Sequence, residues 1–210
     1  MRQKFINSLG IILFPIVIIL LSTDIVVTNE YVYKKLFQEY DVYATINASE
    51  ETIDAQATSI LKYLKDEEPL QSMLLNEKEN AHMADVKKLF MRGYQLLVIS
   101  SLLLVSCLLI SKERRKMMIY GAIGTLMLLV AITAVDFSTL FYKFHLLFFN
   151  NDLWLLDPAT DSLIKIYPQE IFHALTIRIG SLVLMAGIIG VSISLYKPRK
   201  ASQIIDKSGR

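Results

Sequence analysis

Residues 94–135 read YQLLVISSLLLVSCLLISKERRKMMIYGAIGTLMLLVAITAV. Two apolar runs, 94–110 and 117–135, are separated by a short break containing Lys112, Arg114, Arg115 and Lys116 against the single acid Glu113. A run of roughly 20 helical residues crosses about 30 Å of hydrocarbon, and each half approaches that length. Short loops rich in Lys and Arg stay on the cytoplasmic side of a membrane. The stretch therefore reads as two antiparallel membrane helices joined on the inside.

Working outward, two more runs have the same character. The first covers about 5–27, around FPIVIILLS, with Pro15 as a tolerated kink. The last covers about 177–196. The first run is longer than the apolar stretch of a signal peptide and no A-x-A-like cleavage site follows, so a retained helix is expected. Arg2 and Lys4 precede it, and Lys197, Arg199, Lys200, Lys207 and Arg210 follow the last run against Asp206 alone. With four spans these basic clusters and the KERRK loop share one side, so both termini are expected in the cytoplasm. Segments of about 28–93 and 136–176 then face outward, and residues 1–210 form one integral membrane domain. The fold class expected is an all-α membrane protein with helical outward segments and a small β-hairpin.

Composition narrows the function. Hydrophobic residues make up 53% of the chain and charged ones 20%, and the net charge is only +2, which gives no support to a nucleic-acid-binding surface. The single cysteine, Cys107, lies mid-span, where it reads as a small apolar residue and permits no intrachain disulfide.

The first outward segment is amphipathic. Ser49 can cap a helix whose apolar face is Ile53, Ala57, Ile60, Leu61 and Leu64. Asn76 and Glu79 have the spacing of a capping box, opening a helix with His82, Val86, Leu89 and Phe90 on one face that runs into the second span. In the second segment, Phe137, Leu140, Phe141, Phe144, His145 and Phe148 recur at helical spacing. That aromatic stripe suits the lipid headgroup boundary. Residues 153–156 and 163–167 read as two strands around an Asp157-Pro158 turn, with Trp154 at the interface.

Only three histidines occur, and two of them, His82 and His145, fall on apolar helical faces beside the membrane. A neutral imidazole can serve as acid or base near physiological pH. Asp85, one helical turn beyond His82, can orient that ring. His173, at the mouth of the last span, reads as interfacial and not catalytic. Asn150 and Asn151, or backbone N–H groups nearby, are candidate oxyanion donors.

The string NEKENAHMADVKKL at 76–89 resembles the E…H-M-x-D-V-K pattern of the bacterial lipoprotein intramolecular transacylases. FHLLFFNNDLWLLDPATDSLIKIYP at 144–168 is similar to that family's F-H-x-x-F-F…W-x-x-D-P-x-T-D-x-L-I…P pattern. The resemblance implies a four-span enzyme that moves the sn-2 acyl chain of a diacylglyceryl-cysteine lipoprotein to the α-amino group of the same cysteine, giving a lyso-form lipoprotein. It also implies His82 and His145 as the catalytic pair, with a diacylated lipoprotein and membrane lipid as partners. Ester-to-amide transfer runs downhill, so no cofactor is expected, and no phosphate-binding loop is present. Two other functions fit the composition. One is a metal-dependent membrane hydrolase using His82, His145 and a carboxylate such as Asp85 or Glu79. The other is a non-catalytic envelope sensor, which would need neither histidine.

Overall fold

The structure is a computed structural model describing residues 1–195. Among the described residues four long helices are apolar enough to cross a membrane: α1 (Arg2–Val27), α5 (Glu77–Ile110), α6 (Arg114–Thr133) and α9 (Gln169–Leu195). Between them lie α2 (Glu30–Glu39), α3 (Val42–Thr45), α4 (Glu50–Leu64), α7 (Phe137–Phe148) and α8 (Leu163–Ile166). The basic tail from Lys197 onward, on which part of the topology expectation rests, lies outside the described residues.

Within the bundle, α1 packs against α5, α6 and α9, and α6 packs against α9. Leu13, Phe14, Leu104, Cys107, Met117 and Ala122 form its buried seam. Helices in lipid associate through close packing, because hydrocarbon supplies no hydrophobic drive between them. Gly121 illustrates the point: a Cβ there would stand 2.7 Å from the Cβ of Phe14, so α1 and α6 meet at this spacing only without a side chain. At one end of the bundle, Asn7 accepts from Ser111 at 2.7 Å and donates to Glu113 at 3.0 Å, fastening the KERRK loop to the start of α1.

At the other end α2, α3, α4 and α8 form a cap over the first turns of α5 and α9. Leu36, Phe37, Val42, Ile53, Ile166 and Ile171 are fully buried in its core. Each such side chain contributes about 1.5–3 kcal/mol by leaving water. The expected face of α4 points inward, with Ile53, Ala57, Ile60, Leu61 and Leu64 all buried, and Ser49 accepts from Thr52 N–H as its cap. Gln56, wholly buried, holds the irregular segment that follows. Its Nε2 donates to the Gln71 carbonyl at 3.0 Å, and its Oε1 accepts from Met73 and Leu74 N–H at 2.8 and 2.9 Å.

The expected β-hairpin is not formed: the described residues contain no strand. Residues 153–154 form a turn, 155–156 have no regular structure, and Leu163–Ile166 is one turn of helix. The backbone groups that would pair across a hairpin are taken locally or by α5. Leu155 and Leu156 N–H donate to Asp152 and Trp154 carbonyls. The Leu155 carbonyl accepts from Lys78 at 2.5 Å, and Leu163 N–H donates to the Glu79 carboxylate. Of the apolar residues that suggested two strands, Leu163 and Ile166 are buried in the helical cap, whereas Leu155 is half exposed. Alternating hydrophobicity in so short a run does not separate the two outcomes.

Candidate active site

At 34 residues α5 is about 51 Å long, well beyond the hydrocarbon thickness, and its charged first turns precede the apolar run that begins at Tyr94. His82 lies in those turns. The capping box is formed: Asn76 Oδ1 accepts from Glu79 N–H at 2.9 Å, and Glu79 Oε2 accepts from Asn76 N–H at 2.7 Å. His145 lies near the end of α7, whose start is capped by Asp136 accepting from Thr139 N–H at 3.0 Å.

The fold brings these two histidines together, with ring centroids 6.3 Å apart and planes 30° from parallel. Both are buried, at 7% and 9% exposure. Among the described residues no hydrogen bond joins them. Phe149 lies against both, 5.2 Å from His82 and 5.6 Å from His145. Trp154 stacks on the His145 ring at 4.8 Å and 28°, and Phe141 meets its edge at 4.5 Å.

The two imidazoles are held differently. His145 Nδ1 lies 2.7 Å from the Phe141 carbonyl. A carbonyl only accepts, so Nδ1 carries the proton and the neutral ring keeps a lone pair on Nε2. His82 Nδ1 is buried with no hydrogen-bond partner among the described residues. Burial lowers the pKa of His82 to about 4, helped by the neighbouring His145 and by Lys78 and opposed by Asp85. Burial also lowers His145, against the raising effect of its bond to Phe141. Both rings are therefore neutral at pH 7.

The other singled-out residues are placed as follows. Asp85 does not bond to His82. Its carboxylate accepts from Lys88 and from Asn151 Nδ2, both at 2.9 Å, and these bonds hold it below the usual carboxylate range. Asn151 in turn accepts from Leu153 N–H at 3.1 Å, so the pair braces the chain leading to Trp154. Asn150 is exposed. His173 packs its ring on Phe137 at 4.8 Å, away from the pair.

Asp161, Lys78 and a second role of Glu79 emerge only in the folded chain. Asp161, 4% exposed, accepts from Asn76 Nδ2 at 2.9 Å and Asp157 N–H at 2.8 Å, and Lys78 lies 3.6 Å from it. Glu79, 1% exposed, accepts from Leu163 N–H as well as from its own cap. Together with Asp85–Asn151, these contacts fasten the segment after α7 onto the outer turns of α5. The sequence signal was the second Asp of DPATD, an acid at the head of the apolar run 163–167.

Among the described residues no three His, Cys, Asp or Glu side chains converge so as to hold a metal ion. Asp85 and Glu79, the carboxylates that a metal-dependent hydrolase would require, are committed to the contacts above.

Four membrane-length helices, a helical cap and a buried pair of neutral histidines walled by aromatic rings define a multi-pass membrane protein with its candidate site at the cap. Residues 8–172 match the family described as lipoprotein intramolecular transacylase Lit, and the chain belongs to that family. Its activity is accordingly that of a transacylase, and the hydrolase reading is not favoured. The fold is similar to that of the lipoprotein intramolecular transacylase of Bacillus cereus solved in meso, with TM-score 0.83 and 21% identity, covering 99% of this chain and 97% of that one. Variants of that protein with one histidine replaced by arginine or by alanine superpose with TM-score 0.80, also at 21% identity, covering 99% of this chain and 93% and 95% of theirs. No curated protein matches the chain.

Proposed function

We propose that the chain transfers the sn-2 acyl group of a diacylglyceryl-cysteine lipoprotein to the α-amino group of that cysteine, with His82 and His145 as the catalytic residues. The observation that carries this reading is the histidine pair, 6.3 Å apart and enclosed by Phe149 and Trp154. The amine attacks the ester carbonyl, the tetrahedral oxyanion collapses, and the glycerol oxygen leaves with a proton. An α-amino group has a pKa of about 8, so a neutral amine is accessible at pH 7. His145 Nε2, its lone pair aimed by the Nδ1–H bond to Phe141, accepts the ammonium proton of the intermediate and returns it to the leaving alkoxide. His82, a poor base at pKa about 4, serves as the neutral partner that hydrogen-bonds the oxyanion.

Amine and ester in one molecule make the attack intramolecular, and good alignment can lower the barrier by about 7–11 kcal/mol. The aromatic walls supply that alignment by restricting the substrate. No acyl-enzyme is required, and Cys107 is buried in the bundle. The cap faces outward and both termini face the cytoplasm in this reading. Its support is the KERRK loop, which is fastened to the start of α1 at the opposite end from the cap.

A crossover experiment tests the transfer. A substrate with isotopically heavy acyl chains is mixed with a light one of different peptide sequence, and the N-acylated products are fragmented in a mass spectrometer. Heavy chains should stay on the heavy peptide. Scrambling would mean an acyl-enzyme or a separate lipid donor.

A further inference from the structure

Helix α5 has a second outer face, turned away from His82. There Lys87, Lys88, Met91, Arg92 and Gln95 line a groove of about 530 Å³, with Tyr63 and Asp66 across from them. Lys87 Nζ lies 4.4 Å over the Tyr63 ring and 2.5 Å from Asp66. Lys88 pairs with Asp85 at 2.9 Å yet keeps its side chain 67% exposed. Arg92 is exposed and has neither ion pair nor hydrogen bond among the described residues. Three cations thus meet two carboxylates, and the guanidinium is left uncompensated.

The same helix face continues as Val98, Ile99, Leu102 and Leu109, all large, apolar and exposed. These are residues of the spanning segment, so the groove sits at the depth of lipid phosphates, with acyl chains directly below. A phosphate is matched bidentately by a guanidinium fork, and ammonium groups add point charge. Each Lys or Arg near an anionic lipid surface is worth about 1 kcal/mol.

We propose that this groove binds the phosphodiester headgroup of an anionic phospholipid, with an acyl chain lying along Val98 and Leu102. The ligand is a lipid and not free phosphate, because only the lipid also covers the apolar face. An anionic headgroup is selected over a zwitterionic one because the trimethylammonium of the latter would meet Lys87, Lys88 and Arg92. The site requires that α5 cross the bilayer and is independent of the acyl-transfer reading.

The test is native mass spectrometry of the purified full chain in detergent, titrated separately with phosphatidylglycerol, phosphatidylcholine and inorganic phosphate. Phosphatidylglycerol should bind at least about fivefold more tightly than phosphatidylcholine, weaken as salt is raised, and resist displacement by inorganic phosphate. Arg92→Gln should weaken it about fivefold, the loss of one interfacial cation, while Arg92→Lys should retain most of the binding. The His82→Asn variant should bind the lipid as the parent does. Equal binding of both lipids, an unchanged affinity in Arg92→Gln, or equal competition by inorganic phosphate would overturn the proposal. Loss of the lipid in His82→Asn would place it in the acyl-transfer site. A melting temperature measured for each variant in the same detergent separates lost binding from lost folding.

Discussion

Replacing Glu79 by Gln should loosen the wall of the active site while leaving α5 intact. Glutamine is as good as glutamate at the third position of a capping box, so a residue that only capped the helix would tolerate the change. Glu79, however, is 1% exposed and accepts from two backbone donors, Asn76 N–H and Leu163 N–H. The amide has one oxygen, so one N–H must face the new NH2 group. One bond to a charged acceptor is lost, worth about 1.5–3 kcal/mol. The surviving bond loses its charge assistance, roughly half its strength. The sum is about 2–4 kcal/mol, and for a chain of this size about 5–15 °C in Tm. Because Leu163 follows the segment that stacks Trp154 on His145, acyl transfer should fall too, by up to tenfold for each 1.4 kcal/mol by which the docked segment is depopulated. Hydrogen exchange should rise in residues 150–166 and not in α5 beyond its first turn. The assays are thermal unfolding in detergent, peptide-resolved exchange, and fragmentation of the lipoprotein N-terminus. Unchanged Tm and exchange, or a uniform rise along α5, would refute the reasoning.

His82→Asn and His145→Asn should each abolish N-acylated product while the protein still accumulates in the membrane, whereas His173→Asn should remain active; full activity in either of the first two removes that residue from the mechanism. Asp85→Asn and Asn151→Ala should lower activity by similar factors, about tenfold for roughly 1.4 kcal/mol of bracing, and the double variant should be no worse than the single ones if they act through one contact. Stability should fall on acidification: His82 is held at about 4 against an ordinary 6.5, so the unfolded chain takes up its proton first. The protective effect is complete above pH 6.5 and lost toward pH 4, up to about 3 kcal/mol. Tm measured across that window should drop less steeply in His82→Asn, and parallel curves would contradict the burial argument.

The membrane helices were legible from the linear chain because their cause is local. A run of apolar residues and the sign of its flanking charges act on the segment itself, and a backbone in hydrocarbon must close its own hydrogen bonds. The caps at Ser49 and Asn76 were legible for the same reason, each bond joining residues three apart. The family patterns singled out His82 and His145, but no periodicity could state that two rings 63 positions apart lie 6.3 Å from one another. That proximity was decided by tertiary structure. So was the failure of the expected hairpin, where Lys78 and Glu79 take the groups at Leu155 and Leu163 that a partner strand would have used. Asp85 likewise had His82 as a plausible partner one turn away and bonded Lys88 and Asn151 instead. Short polar side chains choose among partners that only the folded chain brings within 3 Å, whereas long apolar runs face one choice, water or lipid, wherever the rest of the chain goes.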